Sequence, residues 1–494
     1  MTAVVTTASG RIRGGAADGV LAFKGIPYAA APVRELRYRP PAPPPAWSGE
    51  RDSTAFGPTA TRRPFPPPFD KYLPETIIPG DGCLNLNVWT PELGDARLPV
   101  MVWIHGGGFA NGSGASPIYA GDHFARDGVV CVTINYRLGA DGFLFLDDTT
   151  PNLGLLDQLA ALAWVQDNIA HFGGDPGNVT IFGESAGAMS VVTLLAMPRS
   201  TGLFRRAVAQ SGAGHHSLTP ATARLITADL AARLGVPATR EGFASISLDR
   251  LSDAQAAQAA DIAGSPDPAR WGEVVVNLMA FEPVVDGDIL PLRAIDAIGN
   301  GAGGDVDVLI GTNLHENRLF LLLTGVMDLV DDATCEAMTA LMGLDAAGLA
   351  TYRANRPEAS AGELLEAVGT DWFFRIPALR LAEAHQGGTG ATHVYEFTWP
   401  SPLVDGRLGA CHALELGFVF DTLDAEGVDL LVGPGAPRSL AHTMHRAWVD
   451  FAANGDPGWP AYHPDDRATM VFDLDSRVEH DLRPAERAVW DGHR

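Results

Sequence analysis

VTIFGESAGAMSV, residues 179–191, is the stretch on which the reading of this chain turns. An apolar, β-branched run enters Gly183-Glu184-Ser185-Ala186-Gly187, and the residues after it continue as a helical pattern. Glycine fills 55 of 494 positions, so a Gly-x-Ser-x-Gly spacing by itself carries little weight. Its meaning comes from the setting: between a strand and a helix, such a motif is a sharp, strained turn that lifts the serine hydroxyl above a sheet. Glycines on either side leave room for that turn.

Outward from this turn, short apolar runs alternate with helical patterns. VMVWIHGGG (100–108), VVCVTINYR (129–137), VDVLIG (306–311) and THVYEFTW (392–399) read as strands, and Leu155 to Ile169 as a helix. The runs lack polar alternation, which predicts an α/β fold with a mostly parallel central sheet covered by helices on both faces. Ala- and Leu-rich segments at about 218–290 and 324–383 read as helical insertions capping one end of the sheet. The Pro-rich segment 61–82 reads as a long surface loop. No linker divides the chain, so residues 1–494 read as a single domain.

A serine hydroxyl is a poor nucleophile at neutral pH unless a base takes its proton, and that base needs a third group to orient it. Around such a turn the partners follow in the order Ser, acid, His, in loops just beyond the carboxyl ends of strands. The loop TNLHENRLF (312–320) offers Glu316, and LGACHALELGFVF (408–420) offers His412. His442 and His445 lie on a helix-like run and read as surface or packing residues. His215 and His216, soon after QSGAG, are placed as candidates to line the pocket. A developing oxyanion needs preorganised donors, and HGGGF (105–109) follows a strand directly. The N–H groups of Gly107, Gly108 and Ala186 are therefore expected to form the oxyanion hole.

Two readings of Glu184 stand: it biases the pocket through its charge, or it only shapes the turn. Phe320, within the apolar run 319–323, either lines an acyl or alcohol pocket or belongs to the core.

The net charge of −24 and pI near 4.8 give a surface that phosphate backbones and anionic lipids repel, so neither nucleic acid nor membrane is an expected partner. No signal-peptide pattern and no apolar stretch of about 20 residues is visible, which points to a cytoplasmic protein. Cys83, Cys131, Cys335 and Cys411 are far apart and form no CxxC pair. Free thiols are expected, with no metal site.

Longer motifs add a family. FKGIPYA (23–29), CLNLNVWTP (83–91), PVMVWIHGGGF (99–109), INYRLG (134–139), the run NLGLLDQ through GESAG (152–187) and WVDFAANGDPGWP (448–460) closely resemble the type-B carboxylesterase and cholinesterase family of α/β-hydrolases, especially its bacterial para-nitrobenzyl-esterase-like members. The resemblance implies an α/β-hydrolase fold, a triad of Ser185, Glu316 and His412, a small-molecule ester as substrate, no metal or organic cofactor, and a monomer or homodimer. It also matches Ser211 to a serine that supports the acid by hydrogen bonding, although a plain strand-end turn is the other reading. Three departures matter. Ala60 stands where secreted relatives carry the cysteine that pairs with the one matching Cys83, so that disulfide cannot form. The family's buried ion pair persists here at most as Arg37 with Asp81. The loop 61–82 has Phe65, Phe69 and Tyr72 but no Trp to hold a quaternary ammonium, so choline esters are not expected. A carbamate, aromatic-ester or polyester-oligomer hydrolase would use the same triad. Family members that serve only as binding modules lack the nucleophile, whereas Ser185, Glu316 and His412 are all present. Activity is expected to rise as His412 becomes neutral, near about 6.5 before its surroundings act.

Overall fold

The structure, a computed structural model, describes residues 2–494. Its centre is a 13-stranded sheet. Seven strands run parallel in the order Val130–Ile134, Leu98–Ile104, Gly174–Glu184, Arg206–Gln210, Asp307–Asn313, Thr392–Phe397 and Ala468–Phe472. Every residue of Val130–Ile134 and of Arg206–Gln210 is buried, as expected of strands covered on both faces.

The margins are antiparallel, except that the short strand Glu50–Asp52 pairs in parallel with Gly10–Ala17. Thr2–Thr7, Gly10–Ala17, Val20–Pro27 and Asn85–Thr90 form one flank, and Arg477–His480 closes the other. These strands, together with Arg206–Gln210 and Ala468–Phe472, are the ones the apolar-run reading passes over. They are short, or half-exposed, or carry charged or polar residues in their sequence, as Asn85 and Asn87 do in the buried strand Asn85–Thr90. The helix expected from Leu155 starts earlier, at Leu153, and ends at Asn168, with a 3-10 turn continuing to Phe172.

Helices dominate both expected insertion segments, among them Pro220–Leu234 and Leu248–Gly264 in the first and Asp332–Leu341 and Ala361–Thr370 in the second. The second also contains a π-helical turn, Asp371–Arg375, which passes directly into the helix Ile376–Ala384. Segment 61–82 has only one 3-10 turn, Phe69–Lys71. It is not wholly a surface loop, because the side chains of Arg62 and Glu75 are buried within it.

The expected pairing of Arg37 with Asp81 is corrected. Asp81 is exposed, and Arg37 Nε instead lies 3.3 Å from Asp141 Oδ1 while Nη1 donates to the carbonyl of Ile246. Asp141 sits in the short helix Gly139–Phe143, which brings its carboxylate to the buried guanidinium.

A second buried ion pair ties the end of Val130–Ile134 to the helix Leu153–Asn168. Arg137 Nε and Nη2 donate to Asp157 Oδ2 and Oδ1 at 2.7 and 2.6 Å, and the Arg137 backbone N–H adds a third bond at 3.1 Å. Both side chains are essentially inaccessible. Asp157→Ala is expected to lower stability by about 3–5 kcal/mol, because it leaves the Arg137 charge buried without its partner. Urea unfolding of the variant beside the parent protein measures this directly. All four cysteines are buried and free.

Candidate active site

Ser185 sits between the strand Gly174–Glu184 and the helix Ala186–Ala196, in the backbone conformation φ 56°, ψ −125°. A non-glycine residue held at positive φ is strained, and here the surroundings enforce it. A Cβ at Gly183 would lie 2.6 Å from both Ile104 O and the Gly187 carbonyl, and one at Gly187 would press still closer on Ile104 O. Only glycine lets the elbow pack so tightly against the strand Leu98–Ile104. The helix after Ser185 is buried at all 11 positions, which anchors the turn from below.

The glycine turn beside it begins where Leu98–Ile104 ends. Gly107 and Gly108 both have positive φ, 108° and 60°. The Gly107 carbonyl accepts from the N–H groups of Ala110 and Asn111, so the turn folds back on itself. A Cβ at Gly106 would lie 2.6 Å from Glu184 O and 3.1 Å from Ser185 Cβ, so this turn and the elbow are in contact. No turn or loop hydrogen bond uses the N–H of Gly107, Gly108 or Ala186. The Ala186 amide also opens a helix, where the dipole favours negative charge.

Glu316 and His412 come together as expected. His412 Nδ1 lies 2.7 Å from Glu316 Oε2, and Glu316 Oε1 accepts from the Asn313 N–H at 2.7 Å. The acid and base loops are stitched by backbone bonds from His315 N to Ala410 O and from His412 N to Glu316 O.

Glu184 lies on the other side of the imidazole. His412 Nε2 is 3.0 Å from Glu184 Oε1, an oxygen with no aligned hydrogen-bond donor, so the contact is a charge pair. Among the described residues, Ser185 Oγ makes no hydrogen bond to His412; the ring nitrogen that would serve it faces the Glu184 carboxylate instead. Burial presses the His412 imidazole toward the neutral form, but the Glu184 and Glu316 carboxylates outweigh it and raise its pKa well above the usual histidine range.

Sequence reasoning does not reach Glu415, three residues after His412. Its Oε1 accepts from Gln210 Nε2 at 3.0 Å and its Oε2 from Asn313 Nδ2 at 2.7 Å. Burial first, then the nearby Glu184 and Glu316 charges, push this carboxyl up to about 8. The only sequence trace was a carboxylate inside an otherwise apolar run, ALELGFVF (413–420).

The remaining expectations divide. The Phe320 ring is 5.3 Å from that of His412, partly exposed, and flanked by Phe69 at 6.3 Å. Phe374, from the π-helical turn, lies 4.9 Å from the same ring, tilted by 43°; its place in a helical insertion hides it from sequence reasoning. The His215 ring is largely buried, and its Nδ1 has no hydrogen-bond partner among the described residues. His216 faces Glu282 with Nδ1 and donates from Nε2 to the Phe373 carbonyl at 3.0 Å. The supporting role of Ser211 is corrected. Its Oγ is buried without a hydrogen-bond partner among the described residues, and Glu316 Oε1 accepts from the Asn313 N–H. His445 is a packing residue, its Nδ1 against the Val419 carbonyl, and His442 is exposed.

A largely parallel sheet wrapped by helices, with a strained serine elbow between a strand and a buried helix and an acid and a histidine on later strand-end loops, defines the α/β-hydrolase fold. Within that fold, the chain belongs to the carboxylesterase family, which it matches over residues 1–490, and with it to the serine carboxylic ester hydrolases. It is similar to the para-nitrobenzyl esterase of Bacillus subtilis (strain 168), 39% identical over 499 residues that cover 98% of this chain and 97% of the relative. It is also similar to a phenmedipham hydrolase of Pseudarthrobacter oxydans, 34% identical over 523 residues and 98% of each chain. Among solved structures, a carboxylesterase of Geobacillus stearothermophilus aligns with a TM-score of 0.87 at 39% identity, covering 99% of both chains. No described helix is long and apolar enough to cross a membrane.

Proposed function

We propose that Ser185 is the nucleophile, His412 the general base and acid, and Glu316 the residue that orients it, in the hydrolysis of small carboxylic esters. The observation that carries this reading is the strained Ser185 turn in contact with a glycine turn whose amides are uncommitted, beside a buried His412–Glu316 pair. Ser185 Oγ adds to the ester carbonyl carbon while His412 Nε2 takes its proton. The carbonyl oxygen becomes an anion held by the Gly107, Gly108 and Ala186 amides. As the tetrahedral intermediate collapses, His412 returns the proton to the departing alcohol, and water then repeats both steps on the acyl-enzyme. Neither step calls for a cofactor. Substrate binding has to bring Nε2 from Glu184 to Ser185 Oγ, a tightening common on going from a free site to a Michaelis complex.

Phe320 and Phe374 beside the histidine, with Phe69 behind Phe320, favour aromatic acyl or alcohol groups, which burial against such rings stabilises. The same wall suits an aromatic carbamate, the second reading, which the likeness to phenmedipham hydrolase supports. Hydrolysis of para-nitrophenyl esters of increasing acyl length, beside para-nitrobenzyl esters and a phenyl carbamate, tests both. A serine-directed phosphonate whose adduct maps by mass spectrometry to any residue other than Ser185 would overturn the assignment. We take residues 1–494 as one α/β-hydrolase domain working in the cytoplasm as a monomer or homodimer.

The pH profile follows from the raised His412 pKa. The base must be neutral, so kcat/KM rises with pH through that raised value, above the 6.5 or so of a free imidazole. Protonated His412 correspondingly stabilises the fold below the unfolded pKa, and this contribution fades as pH climbs through the folded one. Glu184→Gln removes one of the two carboxylates that raise it. The acidic limb of kcat/KM is expected to move to lower pH, and an unmoved limb would show that Glu184 does not set it.

A further inference from the structure

We propose that Glu75, clamped by Arg62, is a positioning residue that holds the oxyanion turn in register with Ser185; this deepens the reading above and rests on it. Both residues come from the Pro-rich segment 61–82, yet their side chains are only 5% and 3% exposed. The Glu75 carboxylate accepts four hydrogen bonds. Oε1 takes the Arg62 Nε and the Gly112 N–H at 2.7 and 2.9 Å, and Oε2 takes the Asn111 Nδ2 and the Phe65 N–H at 2.8 and 3.1 Å.

Two of those donors belong to the far end of the glycine turn. Asn111 N–H closes on the Gly107 carbonyl, and Asn111 Nδ2 also reaches the Arg63 carbonyl at 2.9 Å. Arg62 is itself fixed, donating to the carbonyls of Ala60 and Thr76 at 2.9 and 3.0 Å. The near end of the turn rests on the elbow through Gly106. Three consecutive glycines are a loose segment unless something outside holds them. Donors that wait in place for an oxyanion cannot be loose, because reorganising them during the reaction would cost what they contribute. The Glu75–Arg62 pair is that external hold, and its burial keeps it strong and unscreened by water.

The effect is positional, so its signature is a loss in kcat with little change in KM. Glu75→Gln keeps the shape but turns an amide NH2 toward one of the two donor pairs, releasing one side of the clamp. A misplacement of about 1 Å costs on the order of 100-fold, and a partial release is expected to lower kcat/KM for para-nitrophenyl acetate at least about tenfold. Affinity for an aryl trifluoromethyl ketone should fall in parallel. That ketone accepts the Ser185 oxygen at its carbonyl carbon, passes the serine proton to His412, and leaves its own oxygen as the anion in the hole. Asn111→Ala, which creates no unpaired buried charge, should move both quantities in the same direction by less, and it decides the matter if Glu75→Gln does not fold. Folded variants that keep kcat/KM and ketone affinity within twofold of the parent overturn the inference. Ser185→Ala, assayed alongside, separates the two failures: if it retains turnover, the site reading falls, whereas if it is inactive while both clamp variants behave like the parent, only the role of Glu75 falls.

Discussion

Ser185→Ala is expected to lower kcat by roughly 10⁶-fold, about 8 kcal/mol of transition-state stabilisation, while the protein stays folded. The loss is large because in the proposed mechanism the hydroxyl forms the bond that defines the intermediate, so no neighbouring group can stand in at the same place. Glu184 is close, but its carboxylate is paired with His412 and has no covalent route of comparable ease. The fold should persist because the elbow is held by backbone contacts. Ser185 N–H donates to Gln210 O, Met189 N–H donates to Ser185 O, and the flanking glycines pack on Ile104, all of which alanine keeps. What remains should be slow hydrolysis assisted by the amides of Gly107, Gly108 and Ala186 alone. Turnover of a para-nitrophenyl ester by rigorously purified variant, with far-UV circular dichroism and melting temperature as controls, checks this. Residual activity within a hundredfold of the parent would place the nucleophile elsewhere.

Glu316→Gln should cost on the order of 10⁴-fold in kcat with little change in ground-state binding. Glu316 is fully buried, with one oxygen on the Asn313 N–H and the other on His412 Nδ1. An amide can satisfy Asn313 only by keeping its carbonyl oxygen there, which turns its NH2 toward His412. The imidazole must then accept at Nδ1 and carry its proton on Nε2, the tautomer that cannot take a proton from Ser185. The variant also loses one of the carboxylates that raise the His412 pKa, so the acidic limb of its residual activity should move to lower pH. Single-turnover acylation rates and a pH profile of the variant measure both effects. A variant that acylates at near-parental rate would show that another group orients the base.

Both predictions concern residues legible in the sequence, for a physical reason. The strands before Ser185, Glu316 and His412 are buried on both faces, so they appear as unbroken apolar runs, and side chains on the loops at their ends are the ones that can meet. Tight backbone approach demands glycine, so Gly183 and Gly187 mark the elbow, and Gly107 and Gly108 the turn beside it. The individual strands, the elbow and the loops that carry Glu316 and His412 were thus each marked by a dozen residues or so, although the two side chains meet across 96 positions of chain.

What depended on distance along the chain was not. Glu184 could shape the turn or act on the pocket, and only the folded chain brings its carboxylate to His412 Nε2. Glu415 reads as an oddity in an apolar run until Gln210 and Asn313, from two other strands, supply its donors. The family resemblance pairs Arg37 with Asp81, but folding leaves Asp81 exposed and brings the half-buried Asp141 to the guanidinium. Phe374 and Glu75 sit in segments whose patterns announce only helix and loop, yet one faces the histidine and the other holds the glycine turn. By itself the sequence determined the strands, the turns and the residue types fit for acyl transfer, because these follow from local sterics and from burial along one element. The tertiary structure decided which charges meet, because a buried carboxylate takes its donors from wherever packing brings them, at any separation in the chain.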